Sequence, residues 1–267
     1  MDLDTVTQYR HALSRADLAL QPGERIVAGG TWLFSEPQPG VTGLVDISKL
    51  PWPSVERPAD GSLRIGATCT IAQLSQLSES ETWPAAPLFH QCATALLASF
   101  KVWNSATVGG NICRAFAAAA MVSLAATLDA TAEIWHADGT DSHQSVTSLI
   151  TGNGTTNLSA TDVLRSISFP AHALQARTAF RQISLANLGR SGAVLTGRRD
   201  TDDSYVFVVT AATLTPQVLR YPQRPAPQDL HDDVHALQGY YTDPMGAADW
   251  RRSVSGVLML EVLEELS

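Results

Sequence analysis

Two glycine pairs constrain this chain more than any other feature. Gly29-Gly30 in Val-Ala-Gly-Gly-Thr-Trp and Gly109-Gly110 in Ala-Thr-Val-Gly-Gly-Asn-Ile each follow an apolar stretch and run into a small polar side chain. Glycine reaches positive φ and lets a ligand approach the backbone with no Cβ in the way, so that successive N–H groups can converge on an anion. Two such loops can grip one diphosphate from both sides. Four or five amides suffice without many lysines, because a hydrogen bond to a charged acceptor contributes about 1.5–3 kcal/mol. A bare Gly-Gly is by itself only a turn signal. Here each pair lies between regular elements, where loops carry sites, with Thr31, Thr107 and Asn111 beside it. Neither pair fits the dinucleotide Gly-x-Gly-x-x-Gly or the Gly-x-x-x-x-Gly-Lys-Ser/Thr phosphate loop, which disfavours a Rossmann domain and a nucleoside triphosphatase.

The charge balance agrees with an anion held locally. With a formal net charge of -8 over 267 residues, the chain lacks the clustered Lys and Arg that a nucleic-acid or anionic-membrane surface needs. Cys69, Cys92 and Cys113 are odd in number and widely spaced, so no disulfide framework, zinc site or iron-sulfur site is encoded, and a reducing cytoplasm is expected. The acidic N-terminus is not a signal peptide, and the apolar run from Ala115 to Leu128 is too short to span a bilayer.

Periodicity predicts a helix over residues 5–20 (Val6, Tyr9, Leu13, Leu18), a strand at Ile26-Val27-Ala28 entering the first glycine pair, and a strand at 43–47. Pro51-Trp52-Pro53 marks a boundary. A second lobe follows, with a strand at 63–67, a helix capped by Thr70, a helix over 88–101, the second glycine loop, an Ala-rich helix over 115–128, and strands at 132–135 and 162–169. Alternation at 205–211 and helices at 229–237 and 250–266 suggest a third lobe. The expected domains are 1–54, 55–172 and 173–267.

In family order, the stretches Ala28-Gly-Gly-Thr31, Leu44-Val-Asp-Ile47, Arg64-Ile-Gly-Ala67, Thr107-Val-Gly-Gly-Asn-Ile112, Phe180-Arg-Gln182, Thr213-Leu-Thr-Pro216 and Trp250-Arg-Arg252 resemble the FAD-binding medium subunit of molybdenum hydroxylases, the xanthine dehydrogenase and carbon monoxide dehydrogenase group. The resemblance covers nearly the whole chain. It implies an α+β fold: a two-lobed FAD-binding domain of the vanillyl-alcohol-oxidase/PCMH type plus a C-terminal sheet-and-helix domain. It implies that Val27, Ala28, Gly29, Gly30, Thr31, Trp32 and Leu33 of the first loop and Thr107, Val108, Gly109, Gly110 and Asn111 of the second hold the FAD diphosphate. By the same resemblance Leu164 lines the flavin ring, and Arg181 stands near the isoalloxazine where the family often has a Lys. The chain departs from the family pattern at Trp32, where an Asp is common, and at Ala120, where the family carries an Asp.

The function implied is that of an FAD-dependent oxidoreductase subunit. It would take electrons from iron-sulfur clusters in a small partner subunit and pass them to NAD or another acceptor, with hydroxylation at the molybdenum cofactor of a large partner subunit. Two alternatives stay open: a flavin-poor structural or assembly subunit of the same fold, and a stand-alone flavin oxidoreductase. His231 and His235 share one helical face at i and i+4, but without a third ligand they predict no metal site. No Ser-His-Asp arrangement stands out, and no catalytic residue is predicted.

Overall fold

The computed structural model describes residues 3–267. Its first lobe is a three-stranded parallel sheet of β1 (Gln8–His11), β2 (Glu24–Val27) and β3 (Gly43–Asp46), in the order β1-β3-β2. Every residue of the central strand β3 is buried. The helix expected over residues 5–20 is replaced by β1 and a single 3-10 turn, Arg15–Leu18. Tertiary pairing overrides the apolar spacing: Gln8 to His11 find backbone partners along β3, and the side chains of β1 bridge to other strands. The Tyr9 hydroxyl donates to Asp46 on β3. Arg10 donates through Nε and Nη2 to the Glu24 carboxylate on β2, at 2.8 and 2.7 Å.

Those bonds hold the Glu24 carboxyl down at about 2, against an ordinary 4.5, with the Gln21 amide assisting. A carboxyl depressed in the folded state contributes stability that is complete above its unfolded value and is lost as pH falls through its folded value. Acid unfolding of the wild type should therefore draw part of its slope between pH 4.5 and about 2 from Glu24. Glu24→Gln should flatten that limb in denaturant titrations at stepped pH, and an identical acid limb would show the pair to be inert.

The second lobe holds an antiparallel sheet. Its strands are β4 (Val55–Glu56), β5 (Leu63–Gly66), β6 (Thr131–Trp135), β7 (Asp141–Ser145) and, after the small hairpin of β8 (Ile150–Gly152) and β9 (Thr155–Thr156), β10 (Val163–Phe169). The order is β4-β5-β10-β6-β7. Thr70 caps the helix Ile71–Ser75 as expected. Its hydroxyl accepts from the Gln73 amide at 3.2 Å while the Gln73 side chain accepts from the Thr70 amide at 3.0 Å.

Three expectations in this lobe need correction. The helix over 88–101 is two helices, Ala86–Ala95 and Phe100–Trp103, broken where Leu97 takes φ +43 and Ser99 caps afresh. The Ala-rich helix begins only at Ala120 and runs to Thr127, because Ala115 takes the left-handed conformation (φ +51) and ends the preceding helix. The second glycine pair is not a loop. It forms the first turn of the helix Val108–Arg114.

The third sheet is an antiparallel meander of β11 (Arg177–Ile183), β12 (Ala193–Arg199), β13 (Tyr205–Thr210) and β14 (Gln217–Tyr221). Alternation along β13 sorts its side chains to two faces. Tyr205, Phe207 and Val209 pack under the helices Pro227–Ala236 and Ala248–Glu265, while Val206 and Val208 meet Ala126 of the second lobe. Buried hydroxyls pair across that junction, Ser123 with Thr210 at 2.6 Å and Thr127 with Thr196 at 2.5 Å. Among the described residues no helix is long and apolar enough to cross a membrane.

Candidate cofactor site

The two glycine pairs, far apart in sequence, meet in space. A Cβ on Gly29 would lie 1.9 Å from the Ser105 carbonyl oxygen, and one on Gly109 would lie 2.5 Å from Ala67 Cβ. The first glycine of each pair is therefore demanded by packing of backbone on backbone. The second glycines differ from each other. Gly30 takes φ +65 and a Cβ there would meet the Phe34 ring at 2.4 Å, whereas a Cβ on Gly110 would meet only Thr107 Oγ1, at 2.9 Å.

Between them opens a cleft of about 690 Å³, inside the range of about 300–1,000 Å³ typical of small-molecule and cofactor sites. Val27, Ala28, Gly29, Gly30, Thr31, Trp32 and Leu33 line one side, Thr107, Gly109, Gly110 and Asn111 another, and Leu164 closes the far wall. Val108 does not reach it, since its side chain is buried in the core of the second lobe. Arg181 is elsewhere: it lies on β11 and pairs with Glu261 at 2.8 Å and Glu265 at 2.5 Å on the last helix. Two carboxylates there raise its affinity for the proton and hold the guanidinium outside the cleft lining. Ala120 is also outside, buried at the start of its helix.

The two sides are chemically unlike. Among the described residues, the backbone N–H groups of Gly29, Gly30, Thr31, Trp32 and Leu33 donate to no protein acceptor. The glycine turn on the second side, Val108 to Asn111, has spent its amides. Val108 N–H donates to Cys69 O at 2.9 Å, Gly109 N–H to Ala67 O at 3.0 Å, Asn111 N–H to Thr107 O at 2.9 Å and Gly110 N–H to Thr107 Oγ1 at 3.0 Å. Asn111 Oδ1 accepts from Met121 N–H at 2.9 Å, tying two helices together. The symmetric clamp expected from two equivalent glycine loops is thus one donor-rich loop facing a backbone wall.

Two further donors point to an acceptor-rich ligand. Trp32 Nε1 and Arg114 Nε are buried without hydrogen-bond partners, and both residues line the cleft. Buried donors of this kind are rare enough in folded proteins to require an explanation. An anion with many oxygens, such as a diphosphate, suits the five unpartnered amides of the loop.

Residues 4–172 match the family described as the FAD binding domain in molybdopterin dehydrogenase, and the chain belongs to that family. FAD is the cofactor of that domain, and the donors just described suit its diphosphate. Solved structures extend the likeness of fold over the remaining third of the chain. Quinoline 2-oxidoreductase from Pseudomonas putida 86 superposes with a TM-score of 0.81 at 21% identity, covering 100% of this chain and 98% of that one. Reconstituted CO dehydrogenase from Oligotropha carboxidovorans gives 0.85 at 18% identity, covering 100% and 99%. CO dehydrogenase from Hydrogenophaga pseudoflava, in a form lacking the Mo-pyranopterin moiety of the molybdenum cofactor, gives 0.83 at 18%, covering 100% and 98%. No curated protein sequence matches the chain. The fold is the expected one: a two-lobed FAD-binding domain followed by a sheet-and-helix domain.

Sequence reasoning missed two constellations. Arg114 and Phe116 belong to the cleft, and the signal was present: a cation at the end of the glycine helix and an aromatic residue just after it precede an alanine-rich run. His136 lies between Asp162 and Ser142, with Nδ1 2.8 Å from Asp162 Oδ1 and Nε2 2.7 Å from Ser142 Oγ. This line fastens the β6-β7 turn to the start of β10, and nothing in the sequence spacing announces it. His231 and His235 stack with centroids 4.2 Å apart and pack against Gly256 on the neighbouring helix.

Proposed function

We propose that this chain is the FAD-carrying electron-transfer subunit of a multi-subunit molybdenum hydroxylase. In this reading it works in the cytoplasm beside a large subunit with the molybdenum cofactor and a small iron-sulfur subunit, and delivers electrons to NAD or another acceptor. Bound FAD supplies a carrier that takes up and releases electrons singly or in pairs. The chain's own residues bind and orient it. The Gly29–Leu33 amides hold the diphosphate, Gly29 packed on Ser105 keeps the two lobes close, Gly109 packed on Ala67 seats the glycine helix within the second lobe, and buried Leu164 gives the ring an apolar wall. Residues 1–54 and 55–172 form the two halves of the clasp, and 173–267 a buttress behind it.

The observation that carries the reading is the run of unpartnered backbone amides, Gly29 to Leu33, in residues that line one cleft of an FAD-binding family domain. The cysteines support the need for partners. Cys69 and Cys92 are buried, burial pushes the Cys69 thiol up to about 12 and the Cys92 thiol higher still, and neither suits a cluster ligand, which must be a thiolate.

The purified full chain, supplied with FAD and desalted, should show a bound-flavin visible spectrum and no flavin reduction by a hydroxylase substrate until both partner subunits are added. A colourless protein would end the cofactor reading. Rapid substrate-driven reduction of the flavin in the isolated chain would favour a stand-alone oxidoreductase.

A further inference from the structure

The Gly29–Leu33 loop presents unpartnered amides, while the wall opposite has committed every N–H of its glycine turn. An anion seated there gains donors from the second side only if a side chain supplies them. Arg114 is placed to do so. It follows Gly110 by four residues in the helix Val108–Arg114, so the two share a helical face, and helical side chains lean back toward the N-terminus. The guanidinium carbon lies 3.8 Å from the ring centroid of Trp32 and 3.9 Å from that of Phe116. The two rings meet at 75° with centroids 6.3 Å apart, forming a corner that fixes the plane of the guanidinium.

Trp32 comes two residues after Gly30, so one side chain touches the first glycine loop while rising from the helix that carries the second. Among the described residues no carboxylate lies within ion-pairing distance of Arg114, and its Nε is buried without an acceptor. Burial draws its proton affinity down, with Glu36 opposing at longer range. It remains a cation nonetheless, and its planar fork matches phosphate geometry better than an ammonium does.

We infer that Arg114, held in the corner of Trp32 and Phe116, is the counter-charge for the FAD diphosphate and makes the cleft selective for a flavin that carries one. The inference rests on the cofactor reading of the cleft. The other cation lining it, Arg25, is exposed on β2 and screened by solvent.

The test is a fluorescence titration of the full apo-chain with FAD and with riboflavin, for the wild type, Arg114→Gln, Arg114→Lys and Arg25→Gln, with thermal melts to verify folding. Arg114→Gln should weaken FAD binding by about 10- to 100-fold, the loss expected for charge-assisted hydrogen bonds to a buried anion, and leave riboflavin binding unchanged. Arg114→Lys should recover part of the affinity, and Arg25→Gln should change it by less than about threefold, as an exposed charge does. FAD bound as tightly by Arg114→Gln as by the wild type would overturn the inference and leave the cofactor reading standing. An equal loss for FAD and riboflavin would also overturn it, because Arg114 would then be shaping the cleft. A wild-type chain without affinity for FAD would remove both.

Discussion

Gly110→Val should give a folded chain that no longer takes up FAD. Gly110 is exposed in the first turn of its helix, and the only atom near a Cβ there is Thr107 Oγ1, at 2.9 Å. The branched side chain therefore projects into the cleft and occupies the space between the two loops. Helix propensity favours Val over Gly by a few tenths of a kcal/mol, which offsets part of the roughly 1 kcal/mol lost if the Thr107 cap is displaced. The fold should survive while FAD affinity falls by about 100-fold or more, a cost of at least about 2.8 kcal/mol in binding. Bound flavin counted after gel filtration, next to a circular dichroism melt, decides the matter. A folded variant with full flavin content would remove the second glycine pair from the site. A substitution at Gly109 would be less informative, since a Cβ there collides with the Ala67 backbone and disturbs the fold itself.

Arg251→Met should be the most destabilising single change outside the cleft. The Arg251 side chain is wholly buried in the last helix. It donates to the carbonyls of Gly192 at 2.7 Å and Gly246 at 3.1 Å, to that of Ala211, and to the carboxylate of Asp243. Removing one partner of a buried pair leaves the other charge and the carbonyls uncompensated, at about 3–5 kcal/mol. Urea unfolding followed by tryptophan fluorescence should register that loss as a lower midpoint, and a change below about 1 kcal/mol, the scale of a surface pair, would contradict the assigned role. The effect should reach toward the cleft as well. Ala211, whose carbonyl Arg251 holds, donates its N–H to Ala117 O at 2.8 Å, and Ala117 follows the Phe116 that flanks Arg114.

Much of this architecture was legible because local chemistry and global fold agree. Thr70 with Gln73, Pro170 after β10, and the alternation along β13 each announce their element in a few residues. The glycine pairs announced the cleft. What escaped notice depended on contacts distant in sequence. β1 reads as helix from the spacing of Val6, Tyr9 and Leu13, yet it is an edge strand because β3, beyond a long connection, offers it a backbone ladder. The second glycine pair reads as an anion-binding loop. It is a helical turn whose N–H groups are claimed by Cys69, Ala67 and Thr107, and the first two come into reach only where the folded chain leaves β5. Arg181, expected by resemblance beside the flavin, is held by two carboxylates on a helix more than two elements away. Arg114 was visible as a charge in an apolar run, but its meaning required knowing that Trp32 stands across from it.

The contact of Gly29 with the Ser105 carbonyl also bears on how far sequences of this fold can drift. A cleft whose halves are joined by main chain against main chain, and whose first loop offers main-chain amides, places few demands on side-chain identity there. Most residues around it are then free to change, provided the chain path is kept. An identity of 18% with a TM-score of 0.85 over the full length of the chain is what such freedom permits. What has to persist is the absence of a Cβ at Gly29, where the two lobes come closest, and at Gly109, where the glycine helix meets the chain at Ala67.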